Sequence, residues 1–221
     1  MLLSPCGVLP YGQPTQGARR EGKAPAGTAG ESHSALARYN SHGRGHREAA
    51  LKRILSRRQV RNTVERLAAR IRADYGDKRP VLVGVLKGAF VFLADLIREV
   101  KMPLEVDFIT VSSYGPGQTS SGEVRLVQDI TTDIAGRHVL LIEDIVDSGL
   151  TLDELRQHLL RRSPASLRVC ALLARRSLLA DDPDAVDYLG RAVPDGFVVG
   201  YGIDCGEDYR YLPDVWMLED G

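Results

Sequence analysis

Helical periodicity begins abruptly near residue 56 and marks the start of the regularly patterned part of the chain. Apolar residues then recur at three- and four-residue spacing, which predicts an amphipathic helix. Ser56 and Gln59 have the spacing of a capping box, so this helix should begin at Ser56. The apolar stripe comprises Val60, Val64, Leu67 and Ile71. We interpret this helix as core packing and assign it no chemistry.

Short apolar runs alternate with further amphipathic stretches along the rest of the chain. The runs predict strands at 80–86, 105–111, 123–130, 138–144, 167–174 and 196–203, with a short strand at "VWML" near the end. The stretches between them predict helices at 90–100 and 151–162. Such alternation predicts an α/β fold with a mainly parallel, twisted sheet flanked by helices.

The first 50 residues lack this patterning. They are rich in Gly, Ser, Pro and Arg and show no helical or strand period, so we expect 1–50 to be a disordered extension and 51–221 to be one folded domain. The extension could also be translated from upstream of the true start codon. Glu21, Glu31 and Glu48 argue against an organelle transit peptide or a nucleic-acid-binding arm.

Charge and hydropathy narrow the classes of partner. Lys plus Arg and Asp plus Glu both number 29, so the formal net charge is zero and no overall field attracts nucleic acid or an anionic membrane. The most apolar window, 81–97, is interrupted by Lys87 and Asp95, and is better explained by a strand and a helix than by a membrane span. We therefore expect small-molecule partners, no nucleic acid and no membrane.

The cysteines and the first residues bear on the compartment. Cys6, Cys170 and Cys205 are odd in number and far apart, and they match no metal-binding spacing, so we expect free thiols. The amino-terminal residues lack the basic and apolar regions of a secretory signal. Both observations favour a cytoplasmic protein.

Polar residues follow the apolar runs, where an α/β sheet binds its ligands. In "VLLIEDIVDSGLTL", Glu143 and Asp144 are strand neighbours that point to opposite faces, so both cannot be covered by one helix. The "DSGLT" that follows joins a strand to a helix and could present its backbone N–H groups to a phosphate. It could equally be a simple helix-capping turn. The carboxylate pair favours a ligand, with sugar hydroxyls and Mg²⁺ as candidates.

Four segments together resemble one family. "VLLIEDIVDSGLTL" resembles the phosphoribosyl-pyrophosphate motif of type I phosphoribosyltransferases, and residues from about 56 to 221 resemble hypoxanthine-guanine phosphoribosyltransferases. "VGVLKGAFVFLADL" is similar to the family's pyrophosphate loop, "SSYG" to its mobile catalytic loop, and "FVVGYGIDCGEDYR" to its purine pocket and second metal site. The resemblance implies the type I phosphoribosyltransferase fold with a small hood, and a homodimer or homotetramer.

The resemblance also implies a reaction and a role for each matching residue. A purine base attacks C1 of phosphoribosyl pyrophosphate and yields a nucleoside 5'-monophosphate and pyrophosphate, with Mg²⁺ as cofactor. Asp147 is the implied catalytic acid/base. The implied ligands of ribose and 5'-phosphate are Glu143, Asp144, Asp147, Ser148, Gly149, Leu150 and Thr151; of pyrophosphate, Lys87, Gly88 and Arg210; of the purine, Arg175, Phe197 and Val198; of the metal, Glu143, Asp144 and Asp204; and the lid residues are Ser113 and Tyr114.

One position departs from the family pattern. Where the family commonly has Lys for the exocyclic oxygen of a 6-oxopurine, in a run like "LLDKP", this chain reads "LLARR", so Arg175 is the matching residue that the resemblance implies for this contact. Arg offers a larger, planar fork of donors than an ammonium group does. Preference among hypoxanthine, guanine and xanthine is therefore open. Two alternatives remain: transfer to another base, and a phosphoribosyl-pyrophosphate sensor that binds nucleic acid.

Overall fold

The computed structural model describes residues 34–35, 50–113 and 124–219. Strands and helices alternate along these ranges. The strands are β1 (Ser34–Ala35), β2 (Ala50–Leu55), β3 (Val81–Leu86), β4 (Glu105–Ser113), β5 (Val124–Gln128), β6 (His138–Val146), β7 (Ser166–Arg175), β8 (Tyr188–Val193), β9 (Val198–Val199) and β10 (Val215–Glu219). The helices are α1 (Arg57–Tyr75), α2 (Phe90–Val100), α3 (Leu150–Leu160) and α4 (Arg176–Asp181).

A six-stranded sheet forms the centre of the molecule, in the order β5-β4-β3-β6-β7-β8. Every neighbouring pair is parallel except β4 and β5, which are antiparallel at the edge. The predicted α/β fold with a mainly parallel sheet is confirmed. Because β6 lies between β3 and β7, the residues that follow β6 emerge at the middle of the sheet's carboxyl edge.

Helices cover both faces of this sheet, which explains the uninterrupted apolar strands. Leu140 and Ile142 of β6 pack in the core shared with α1 and α2, whereas Val139 and Leu141 pack in the core shared with α3. The predicted start of α1 is also correct, since Ser56 and Gln59 form the capping box. Its predicted stripe is fully buried, with Leu67 and Ile71 at 0% exposure.

A smaller antiparallel sheet, in the order β1-β2-β10-β9, forms the hood. The predicted strand at 196–203 is wrong in extent, because only Val198 and Val199 pair as a strand before the chain turns. The turn contains Tyr201 with φ 54°, which leaves the extended conformation. Four elements, β1, β2, β8 and α4, were not predicted, since their short or partly polar sequences carry little periodicity.

Two predictions on the remaining segments have different outcomes. Within the predicted extension, Ser34 and Ala35 pair with β2, and the other residues up to 49 lie outside the described ranges, so disorder there stays a prediction. Cys170 is free and buried, as predicted. Cys205 is disulfide-bonded, so the expectation of a free thiol is wrong there; sequence separation does not reveal which cysteines the fold brings together.

The length and hydropathy of the helices bear on whether any of them could span a membrane. Within the described part of the chain, none of them combines the length and the apolar character needed to cross a bilayer.

Candidate active site

A cavity of about 240 Å³ opens at the carboxyl ends of β3 and β6. Most of its wall comes from residues that the sequence singled out, although they belong to three separate segments. The predicted site residues that line it are Gly88, Glu143, Asp144, Asp147, Ser148, Gly149, Thr151 and Asp204. The fold thus brings these segments together at the edge where a parallel sheet binds ligands.

The carboxylate pair near the end of β6 is buried. Glu143 and Asp144 are 8% and 9% exposed. Burial raises the pKa of Glu143 well above its usual range, and the neighbouring Asp144 raises it further. Burial likewise raises the pKa of Asp144 to about 6. A buried carboxylate is stabilised in its charged form by hydroxyl donors or a cation, so this pair is suited to such a ligand.

Gly88 allows the loop after β3 to lie directly against Asp144. A Cβ at Gly88 would come within 2.0 Å of the Asp144 Oδ2 atom, closer than any side chain permits. The preceding peptide bond, between Leu86 and Lys87, is cis. The backbone of this loop therefore forms one wall of the cavity beside the carboxylate.

The turn after β6 leaves its backbone donors available. Gly149, with φ 82°, is the N-cap residue of α3. Because it has no side chain, it cannot accept a hydrogen bond from the first N–H groups of the helix. Ser148 and Thr151 also line the cavity wall. This geometry suits an anion at the start of α3 better than the alternative of a turn capped by its own side chain.

Asp147 and Arg175 form an ion pair that joins the ends of β6 and β7. The Arg175 Nε donates to Asp147 Oδ1 at 2.7 Å, and its Nη1 donates to the Pro194 carbonyl at 2.8 Å. The Arg175 side chain is 10% exposed, whereas that of Asp147 is 75% exposed. The buried guanidinium therefore holds one oxygen of Asp147 and leaves the carboxylate open to the site. Both residues were predicted here, but their pairing was not.

A second ion-pair cluster connects the loop after β3 with the segment after β9. Lys87 Nζ lies 2.7 Å from Glu207 Oε1, and Arg210 Nη2 lies 3.3 Å from Glu207 Oε2. The same Arg210 nitrogen lies 2.8 Å from Asp204 Oδ1. The Arg210 Nε is buried without a hydrogen-bond partner among the described residues. The sequence shows Glu207 only as one of several charged residues after β9. The spacing of residues along the chain cannot show that it pairs with both Lys87 and Arg210.

The predicted purine ligands Arg175, Phe197 and Val198 are not among the residues that line this cavity. Phe197 is 43% exposed and is therefore not packed in the core, whereas Val198 is buried. Leu150 is 56% exposed at the start of α3. Ser113 ends β4, and Tyr114 falls outside the described residues, so their role as a lid stays a prediction.

The predicted metal ligands do not form a preassembled cage. In the described ranges, no group of three or more His, Cys, Asp or Glu side chains lies close enough together to hold a metal ion. Mg²⁺ usually keeps several waters and takes one or two protein carboxylates plus substrate oxygens. The oxygen donors of Glu143, Asp144 and Asp204 around one cavity fit that mode of binding, and their assignment stays a prediction.

A larger cavity of about 900 Å³ lies between α1, α2 and the segment at 210–213. Of the predicted site residues, Arg210 is on its wall. Size alone would favour this cavity, but the buried carboxylates, the glycine turn and the loop at Gly88 surround the smaller one. The smaller cavity is therefore the candidate active site.

Comparison with known proteins agrees with this geometry. The model of the phosphoribosyl transferase domain family matches residues 50–205. A hypoxanthine-guanine phosphoribosyltransferase of Aquifex aeolicus is 45% identical over 171 residues, which are 77% of this chain and 96% of the relative. The chain belongs to the hypoxanthine-guanine phosphoribosyltransferase family. The family predicted from the sequence is thereby confirmed.

Other members of this phosphoribosyltransferase family extend the match. A hypoxanthine phosphoribosyltransferase of Salmonella typhimurium is 45% identical over 159 residues, 71% of this chain and 89% of the relative. A crystal structure of a Bacillus anthracis hypoxanthine-guanine phosphoribosyltransferase has a TM-score of 0.70 and 42% identity, covering 76% of this chain and 98% of that one. A Trypanosoma cruzi hypoxanthine phosphoribosyltransferase has a TM-score of 0.71 and 40% identity, covering 80% and 95%. The type I phosphoribosyltransferase fold is confirmed.

Proposed function

We propose that this enzyme transfers the phosphoribosyl group of phosphoribosyl pyrophosphate to hypoxanthine, and to guanine, giving IMP or GMP and pyrophosphate. One observation carries the proposal: the carboxylate pair, the glycine turn and the loop at Gly88 surround one cavity. This cavity lies in a chain that covers 96% of a relative named for that activity.

The sugar and its phosphate are assigned to the β6–α3 turn. Glu143 and Asp144 accept hydrogen bonds from the ribose hydroxyls, which offsets the cost of burying both carboxylates. The 5'-phosphate lies at the start of α3, between Asp147 and Thr151, where Leu150 supplies a backbone N–H.

Pyrophosphate is assigned to the second cluster. Lys87, the backbone at Gly88 and Arg210 carry the donors, and Arg210 has a buried nitrogen still free to donate among the described contacts. Mg²⁺, held by Glu143, Asp144 and Asp204 in this proposal, would supply charge neutralisation for the departing pyrophosphate.

The base is assigned to the β7 and β9 side of the cavity. The exposed ring of Phe197 offers a stacking face, Val198 offers backbone groups, and Arg175 donates to the exocyclic oxygen. Asp147 exchanges a proton with purine N7, and its ion pair with Arg175 orients it for that transfer. Ser113 and Tyr114 form the lid that excludes water from the cationic sugar.

A panel of bases tests the activity. The chain is incubated with phosphoribosyl pyrophosphate and Mg²⁺ and each of hypoxanthine, guanine, xanthine, adenine and uracil, and monophosphate formation is followed. We expect turnover with hypoxanthine, and loss of turnover when the metal is chelated. Turnover confined to xanthine would transfer the assignment to that base. No turnover with any purine would refute the proposal, and a gel shift dependent on phosphoribosyl pyrophosphate would then favour the regulator.

The proposal also includes an oligomeric state and a cellular location. We expect a homodimer or homotetramer; the T. cruzi structure is described in terms of the role of its C-terminal region in oligomeric state and enzymatic activity, which is a property of that protein. Light scattering after gel filtration measures the mass directly. The cytoplasm is the proposed location, and fractionation of cells tests it.

A further inference from the structure

Glu207 links both cations of the proposed pyrophosphate site with a single carboxylate. Its Oε1 lies 2.7 Å from Lys87 Nζ, and its Oε2 lies 3.3 Å from Arg210 Nη2. Each oxygen therefore pairs with a different cation, one from the loop after β3 and one from the segment after β9. Two oxygens between the same cations are also what a bound phosphoryl group would present.

The backbone at Glu207 accepts an unfavourable conformation to place this carboxylate. Cys205 and Asp208 pair as an antiparallel bridge, and Glu207 lies in the turn between them with φ 73°. The left-handed region favours glycine, so a glutamate there costs free energy that its hydrogen bonds must offset. The Glu207 carboxylate accepts hydrogen bonds from Lys87 Nζ and Arg210 Nη2, and the Glu207 N–H donates to Asp204 Oδ2 at 2.8 Å.

We propose that Glu207 is a positioning residue that occupies Lys87 and Arg210 as an internal anion and competes with pyrophosphate for them. The inference rests on the proposed function and specifies how that site is regulated. It assigns Glu207 two effects: it weakens the affinity for pyrophosphate and speeds the release of this product.

The exposure of the pair favours displacement over a permanent structural link. The side chains of Lys87 and Glu207 are each 65% exposed, and ion pairs at such exposure are weak. Pyrophosphate carries more negative charge than one carboxylate, so it can replace Glu207 at both cations. Arg210 stays in place meanwhile, because its Nη1 donates to the Gly202 carbonyl at 2.7 Å and its side chain is 19% exposed.

The test is the affinity for pyrophosphate with Mg²⁺, measured by titration calorimetry on the full chain. Glu207→Gln keeps the shape and removes the charge, so we expect binding to tighten about threefold to tenfold, the effect of removing the exposed ion pair with Lys87 and the longer, partly buried one with Arg210. Glu207→Gly is a second variant that also relieves the left-handed backbone, and it should tighten binding as well. A purely structural role predicts unchanged or weaker binding, so the direction of the change separates the two roles.

The matched control is Asp208→Asn. It removes the same charge one position further along the turn, and Asp208 has no ion pair to Lys87 or Arg210 among the described residues. Equal tightening in this control and in Glu207→Gln would reduce the effect to long-range charge and overturn the inference. If the wild type has turnover but both Glu207 variants bind pyrophosphate with unchanged or weaker affinity, this inference is overturned and the proposed function is not. A wild type without turnover or pyrophosphate binding would overturn the proposed function and this inference together.

Discussion

The polar side chains at the two ends of the central sheet differ in their partners and in how burial affects their pKa. At the amino end, Arg168 donates to the Tyr188 hydroxyl at 2.9 Å and lies 3.2 Å from Asp74. His138 and Ser166, which begin two neighbouring strands, hydrogen-bond at 2.8 Å. At the carboxyl end, by contrast, two carboxylates of β6 are buried side by side, and burial raises the pKa of each.

Two aspartates show the same difference. Asp107, near the start of β4, accepts hydrogen bonds from the backbone of Phe108, Thr131 and Thr132. Partial burial would raise its pKa, but these hydrogen bonds outweigh burial and hold the pKa below its usual range. Asp144 has a raised pKa. The polar groups named at the amino end thus have internal partners. The carboxyl end contains internal ion pairs as well, but there burial raises the pKa of Glu143 and Asp144, which suits these two carboxylates to a ligand. Tyr75 is an exception, because its buried hydroxyl has no partner among the described residues.

The largest effect should come from Asp147→Asn. An asparagine can still accept the hydrogen bond from Arg175 but cannot take a proton, so we expect turnover to fall by about 10²–10⁴-fold. Substrate binding should change little, because asparagine keeps the shape of the side chain, whereas the unfolding free energy should fall because the buried Arg175 loses its counter-charge. Steady-state kinetics and denaturant unfolding measure both, and unchanged turnover would remove Asp147 from its role.

The next effect should come from Gly88→Ala, compared with Gly136→Ala. A Cβ at Gly88 would displace the Asp144 carboxylate, so we expect kcat/KM to fall by about 10²-fold, as misplaced site groups commonly cause. A Cβ at Gly136, in the turn before β6, would meet nothing within 4 Å, although its φ of 68° disfavours alanine. That control should therefore lose stability but retain activity. Equal loss of activity in Gly88→Ala and Gly136→Ala would contradict the prediction that activity depends on the carboxyl end of the sheet and not on the amino end.

A smaller effect of opposite sign should follow from Asp144→Asn, which should stabilise the ligand-free protein. The pKa of Asp144 is raised to about 6, so its ionisation costs the folded state free energy that grows from about pH 4 and is complete above about pH 6. We expect a gain of about 1–3 kcal/mol in unfolding free energy at pH 8 in chelator, and none at pH 4. A gain that is independent of pH would refute this explanation.

The smallest effect should come from Asp107→Asn, the same chemical change at the amino end. A lowered folded-state pKa means that the stabilisation is fully present above the ordinary pKa, near 4, and is lost as pH falls through the lowered value. We expect a loss of about 1 kcal/mol at pH 7 that disappears near pH 2, with turnover unchanged. Urea unfolding at several pH values measures it, and a stability gain at pH 7 would contradict the prediction.

The sequence predicted what depends on local pattern. The stripe of α1 and the strand β6 were recognisable because burial imposes a period on one face or removes polar residues altogether. The position of the site followed from the rule that ligands bind beyond the carboxyl ends of strands. Glu143, Asp144 and Asp147 were therefore predicted at the carboxyl edge of the sheet, and in the structure they line one cavity there, while their roles stay a prediction.

What the sequence could not predict depends on residues far apart in the chain. Arg175 was assigned to the purine, and nothing local indicated that its Nε would hold Asp147. Lys87 and Glu207 are likewise joined only through the fold, and β8 is a strand because β7 provides its partner. The strand predicted over 196–203 was wrong in extent for a related reason, since the Tyr201 N–H in the turn donates a hydrogen bond to the carbonyl of Leu212 at 2.7 Å.

The hood has a consequence for the order of biosynthesis. Its strand β10 (Val215–Glu219), close to the end of the chain, pairs with both β9 and β2. A ribosome releases the strands of the central sheet first, because chains fold from their amino terminus during synthesis. The proposed purine pocket beside β9 therefore depends on strands that are synthesised after those of the central sheet, and a nascent chain can form the β6–α3 turn before it can hold a base.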